Sequence, residues 1–224
     1  MIDGTTIKAA NERAIAGWNG LDLKSGRPLN PSDRQLLSQY CQKVINAKRN
    51  KAAVTIGEIE IRDLMRVARL GPLFLNNAID YKGLAEWLSI EGTHKRIDNA
   101  GSLPLQERCD ETLAMLKEVA GAMHKEDDGQ QIALASRILF FALPELPFFN
   151  VSSGVASELG IRQHTTNLKA YWDALTALLV KHHAELSQCN RPAEFEKQEN
   201  PVIKAAMKGD WWQRRVLDYA LLTD

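Results

Sequence analysis

One guanidinium stands inside an apolar run. Residues 132–149 read IALASRILFFALPELPFF, and only Ser136 and Arg137 interrupt the first eleven of them with polar groups. A helix apolar all round is a central core helix, and a cation buried there alone is prohibitively costly. Arg137 therefore snorkels to water, pairs with a carboxylate such as Glu145, or touches an anion or a nucleobase in a cleft. Just beyond the run, Asn150, Ser152 and Ser153 offer hydrogen-bonding groups, although Ser152 and Ser153 also have the residue type of a helix N-cap. A second group is Trp211-Trp212 followed by Arg214-Arg215. Indoles stack on bases and guanidiniums meet phosphates. Adjacent helical residues point about 100° apart, so the same four residues also read as one core indole, one half-exposed indole and a solvated arginine pair. Arg215 and Asp218 are three apart, the spacing of a helical ion pair.

Other reactive types are present without a reactive pattern. His182 and His183 are neighbours and face different ways on a helix, so they do not share a metal at the usual spacing. His124 and His164 lie in loops with no nucleophile nearby. Cys41, Cys109 and Cys189 are distant and odd in number, with no Cys-x-x-Cys, and read as reduced core residues. Ser152-Ser153-Gly154 has neither a nucleophile elbow nor a phosphate loop around it. Asp127-Asp128 would act as acid or base only if their connector folded over a cleft. No metal and no cofactor is expected.

These residues need a scaffold, and its pattern is helical. The chain has 224 residues, 45% hydrophobic and 25% charged, which excludes a collagenous or wholly disordered polypeptide. Lys plus Arg and Asp plus Glu number 28 each, so no charge surplus announces a polyanionic or polycationic partner. No signal-like apolar start and no apolar run near the ~20 residues of a membrane span is present, so a cytoplasmic chain with no membrane contact is expected.

Asn30-Pro31-Ser32-Asp33 reads as a helix start, with Asn30 as cap and Pro31 at the first helical position. Leu36, Leu37, Tyr40, Cys41, Val44 and Ile45 form the apolar face behind it. Further helices are expected at 58–70, 72–79, 81–90, 104–124 and 130–143. A short one should follow at 152–159, the longest at 165–186, and a last one at 210–222. Residues 91–102 read as a polar loop, and 190–201 as a loop or short exposed helix. The expected class is all-α. A charged, glycine-containing connector at 125–129 suggests an N-terminal helical lobe, 1–125, and a C-terminal lobe, 126–224.

Ser136-Arg137-Ile138-Leu139-Phe140-Phe141, then Pro144-Glu145-Leu146-Pro147-Phe148-Phe149, then Ser152-Ser153 together resemble a pattern in helix-hairpin-helix DNA glycosylases of the 8-oxoguanine-glycosylase type. There a Ser-Lys pair opens an apolar helix, a Pro-acid-Leu turn follows, and an Asp-Ser pair begins the next helix. The closing Arg214-Arg215-Val216-Leu217-Asp218-Tyr219-Ala220-Leu221 is similar to the Arg-x-x-acid-x-x-Leu end of that group. The resemblance covers roughly residues 130–224 and implies a two-lobed fold. It also places the family's catalytic Lys on Arg137 and its catalytic Asp on Ser152 or Asn150. An Arg does not shed its proton to form a Schiff base, and neither Ser nor Asn supplies a carboxylate. What the resemblance then implies is a divergent glycosylase-like protein without lysine-dependent lyase activity. Arg137 would meet a base edge or a phosphate, with Asn150, Ser152 and Ser153 beside it. The partner would be a nucleic acid or a nucleobase-containing ligand. Relatives of this kind occur as accessory proteins in bacterial antiphage operons, which implies a second expectation: an interaction module contacting another protein of the same operon, without a ligand site.

Overall fold

The structure is a computed structural model that describes residues 2–50, 81–123, 128–162, 165–193, 195, 203–204, 206 and 209–222. The helices expected at 58–70 and 72–79, together with His124, Asp127 and His164, lie outside the described residues. The all-α expectation holds: ten helices and one two-residue-armed hairpin make up the described elements.

Helix α1 (Gly4–Trp18) starts where the Asp3 carboxylate accepts from the Thr6 amide at 2.8 Å and hydroxyl at 2.9 Å. Its inner stripe is Ile7, Ala10, Ala14 and Trp18, helical spacing that buries one face. The hairpin of β1 (Leu21–Asp22) and β2 (Arg27–Pro28) turns through Gly26, at φ +65°, where a side chain would be strained.

Helix α2 (Asp33–Asn50) begins two residues later than the Asn30-Pro31 reading places it. Ser32 Oγ accepts from the Gln35 amide at 3.2 Å, and Gln35 Oε1 accepts from the Ser32 amide at 2.6 Å. This reciprocal capping box satisfies two orphan donors and outcompetes the single Asn cap.

Residues 81–100 form α3 (Tyr81–Ser89) and α4 (Glu91–Ala100). The second corrects the expected loop at 91–102. Its buried side is only Thr93, Ile97 and Ala100, too sparse to stand out among polar neighbours. Arg96 fastens this polar helix to α5 (Leu105–Ala122) by meeting Glu111 and Glu118. The Trp87 indole of α3 reaches the same Glu118 at 3.3 Å.

Helix α6 (Asp128–Ala142) is the central element, with Leu134, Ala135, Ile138, Leu139, Phe140 and Phe141 all buried. It packs against α2 and against α5. Ser152 Oγ caps α7 (Ser153–Glu158) by accepting from Val155 at 3.2 Å. The long helix expected at 165–186 is divided into α8 (Leu168–Lys181) and α9 (His183–Ser187), with His182 at the junction. Helix α10 (Trp211–Leu221) lies along α1 and is buried on nearly every side. The sequence's half-exposed indole is therefore corrected. Trp211 and Trp212 both sit in an aromatic cluster with Trp18, Phe140 and Phe195, and donate to the carbonyls of Phe140 (3.0 Å) and Asn190 (3.1 Å). Covering both faces of α10 leaves no solvated side for either ring. Among the described residues no helix is long and apolar enough to cross a membrane.

Candidate functional site

A buried polar cluster forms where α2, α6, α10 and the 147–152 segment meet. Its anchor is Arg215 on α10. The guanidinium grips Asp33 of α2 through both carboxylate oxygens, Nε to Oδ2 at 2.6 Å and Nη2 to Oδ1 at 2.8 Å. Nη1 donates to Asp218 Oδ2 at 2.7 Å, the anticipated i, i+3 pair, and Nη2 also reaches the Tyr219 hydroxyl at 3.1 Å. Burial opposes the charge on Arg215, but Asp33, Tyr219 and Asp218 outweigh it and hold the group above its usual range. Burial pushes the Tyr219 phenol up to about 12. Helix α1 passes over this cluster at Gly17, where a methyl group would collide with the Tyr219 hydroxyl.

Asp218 Oδ2 is shared. Asn150 Nδ2 donates to it at 2.9 Å, and Arg137 Nη1 approaches it at 3.8 Å. The backbone around Asn150 is held by neighbours. Ser136 Oγ accepts from the Val151 amide at 2.9 Å, and Tyr171 Oη donates to the Asn150 carbonyl at 2.6 Å. Arg137 is held less fully. It is 7% exposed, and its Nη1 is buried with no hydrogen-bond partner among the described residues. Asn150 Oδ1 is likewise buried and unpartnered. Burial lowers the Arg137 pKa, with Asp218 only partly opposing it. The pairing carboxylate is thus Asp218, on α10, in place of the Glu145 suggested by proximity in sequence.

Arg214 points the other way. It donates to the Phe148 carbonyl and, at 2.8 Å, to the Pro144 carbonyl, and burial draws its pKa down to about 10. The arginine pair read as solvated is therefore internal: Arg214 ties the Pro144–Phe148 turn to α10, and Arg215 ties α2 to α10.

The structure brings Arg137, Asn150 and Arg215 of the anticipated residues around one carboxylate. Ser152 is spent on capping α7, Ser153 is exposed on that helix, and Trp211 and Trp212 belong to the aromatic core, where no base can stack on them. Asp33, Tyr171 and Tyr219 were not anticipated. Asp33 lies 182 positions from its partner, and its place in the first turn of α2 reads equally well as dipole compensation. A cavity of about 10 Å³, roughly one water in size, touches Asn150, Asp218, Phe149 and Leu217. No cluster of three metal-ligating side chains occurs among the described residues. Comparison with family models, with curated proteins and with solved structures finds no match to this chain.

Proposed function

We propose that this chain is a divergent 8-oxoguanine-glycosylase-like protein, two-lobed in plan, that binds a nucleobase, a nucleotide or a nucleic acid without lysine-dependent lyase chemistry. One observation carries the reading: Arg137 Nη1 and Asn150 Oδ1 are both buried, both without a hydrogen bond among the described residues, and both belong to residues that meet Asp218. Two arginines and two aspartates already balance in charge across the cluster. What remains unfilled is one donor and one acceptor, the complement of a neutral edge that pairs an acceptor with a donor. Nucleobase edges carry that pair.

Chemistry through residue 137 is limited to binding, because a guanidinium does not become a neutral amine nucleophile. Asp218 is held by Arg215 and Asn150, which gives it a positioning role. The cavity beside Asn150 and Asp218 is about one water in size and is lined by Arg214, not Arg137, so a base meets Arg137 and Asn150 together only when the 147–152 segment and α10 part. Setting in an antiphage operon belongs to the same proposal.

Titration calorimetry with the four ribonucleosides, and with single- and double-stranded DNA at two salt concentrations, tests the reading. Nucleoside binding that disappears in Arg137→Met supports it, and no binding by any of these probes at low salt contradicts it. Borohydride treatment with an oxoguanine duplex should trap no adduct; a trapped adduct would overturn the loss of lyase chemistry.

The closed cavity favours a second reading, an interaction module without a ligand site. Among the described residues the exposed large apolar side chains, Leu21, Leu23, Ile90 and Val180, are spread over the hairpin, the α3–α4 junction and α8. Nucleoside binding separates the two.

A further inference from the structure

The cavity at the seam between α10 and the 147–152 segment has a chemistry of its own. Arg214, Leu217, Asp218 and Leu221 line it at the spacing of a single face of α10. Asn150 and Val155 line it from the 147–152 segment and α7, and apolar side chains close the remainder. The two terminal nitrogens of Arg214 are taken by the Phe148 and Pro144 carbonyls, and its buried Nε has no hydrogen bond among the described residues. Asn150 spends its Nδ2 on Asp218, and its buried Oδ1 is in the same condition as the Arg214 Nε. The contacts described to the Asp218 carboxylate all fall on Oδ2, so its Oδ1 is a second acceptor in this lining.

We infer that this cavity binds one internal water, which accepts from Arg214 Nε and donates to Asn150 Oδ1 and Asp218 Oδ1, and so joins α10 to the 147–152 segment. One donor and two acceptors match the roughly three hydrogen bonds that an internal water makes, and a volume of about 10 Å³ fits one such molecule. An apolar cavity stays dry, whereas a buried N–H or amide oxygen left unmet is costly, and that cost is what draws water in. The same lining disfavours other small occupants. The Arg214 guanidinium repels a cation, the Asp218 carboxylate repels an anion, and an organic molecule exceeds the space. The site stands on this lining whether or not a base binds. One consequence rests on the nucleobase reading above. A base that reaches Asn150 Oδ1 expels the water, and it binds well only when its own polar edge meets the groups that the water met.

The test is a pair of water-selective NOE and ROE spectra of the isotope-labelled full chain, read at the arginine Hε protons. Arg214 Hε should show a water cross-peak whose NOE and ROE have opposite signs, the signature of a long-lived internal water. Arg215 Hε, given to Asp33 Oδ2, should show none. Val155→Ile adds a methyl group to the lining and should abolish the Arg214 cross-peak while the Arg215 resonance is unchanged. A crystal structure of the wild type should place one water within hydrogen-bond distance of both Arg214 Nε and Asn150 Oδ1. An Arg214 Hε resonance without a water cross-peak, a cross-peak that persists in Val155→Ile, or a crystal structure with this cavity dry would each overturn the inference. The four ribonucleosides are then added in turn. Loss of the cross-peak on binding supports the displacement, and binding that leaves it intact contradicts the displacement. A cross-peak with no nucleoside bound at any concentration removes the Arg137 reading and leaves the water site standing. Nucleoside binding in a chain that shows no cross-peak does the reverse.

Discussion

Two arginines share one carboxylate, and their surroundings differ sharply. Arg215 has a two-pronged grip on Asp33, a short bond to Asp218 and a tyrosine hydroxyl, and its charge is favoured despite burial. Arg137 has the same carboxylate at 3.8 Å, an Nη1 with no hydrogen bond among the described residues, and a pKa that burial drags down. A buried ion pair is worth little against a well-packed apolar replacement, yet breaking one strands a charge. Arg215 is therefore a tie between α2 and α10 whose loss is severe. Arg137 is a cost the fold carries, consistent with a ligand that completes its bonding.

The largest effect should come from breaking the satisfied end. Asp33→Ala leaves Arg215 with an unmatched fork and should destabilise the protein by about 3–5 kcal/mol, read by urea denaturation. A loss below about 1 kcal/mol would mean that this end is no firmer than the other. Next comes Gly17→Ala, which drives a methyl group into the Tyr219 hydroxyl. It should cost about 1–3 kcal/mol by displacing α1 or the phenol, and a neutral result would show that α1 does not press on the cluster.

A smaller effect is expected in alkali. The folded Tyr219 pKa, about 12, lies above the ordinary 10.0, so the folded chain keeps the proton longer than the unfolded chain. Its contribution is complete below about pH 10 and is lost as pH rises through about 12. Tyr219→Phe should flatten that decline by about 1–2 kcal/mol relative to the wild type. Arg214, whose shift has the opposite sign, is present in both proteins and cancels in the difference. An unchanged slope would place Tyr219 outside the sealed region.

Much of the scaffold was legible. The apolar run of α6, the Ser152 cap of α7 and the buried stripe of α2 each follow from local spacing or capping chemistry, and the structure has them. Helix α4 was not, because three small or apolar residues in ten do not reveal a face until α5 supplies the glutamates for Arg96. Helix α1 carried its Asp3 cap and Ile7-Ala10-Ala14 stripe in plain view, but no element was expected there, since alanine marks a face only weakly. In the candidate site, the buried guanidinium at 137 was readable as an oddity. Its partner was not, because Asp218 is distant in sequence and Glu145 is near. The two tryptophans illustrate the same limit: spacing on one helix says which way rings point, and only the neighbours, here α1 and α6, decide that both directions are interior.

The most direct measurement is urea unfolding of Arg137→Met beside Arg215→Met. Methionine fills similar space without a charge, and Asp218 keeps its bonds to Arg215 and Asn150 when only residue 137 changes. Arg137→Met should stay within about 1 kcal/mol of the wild type, or gain stability, while Arg215→Met loses about 3–5 kcal/mol. Equal losses in the two variants would make Arg137 a structural tie like its neighbour and would contradict a position held open for a ligand.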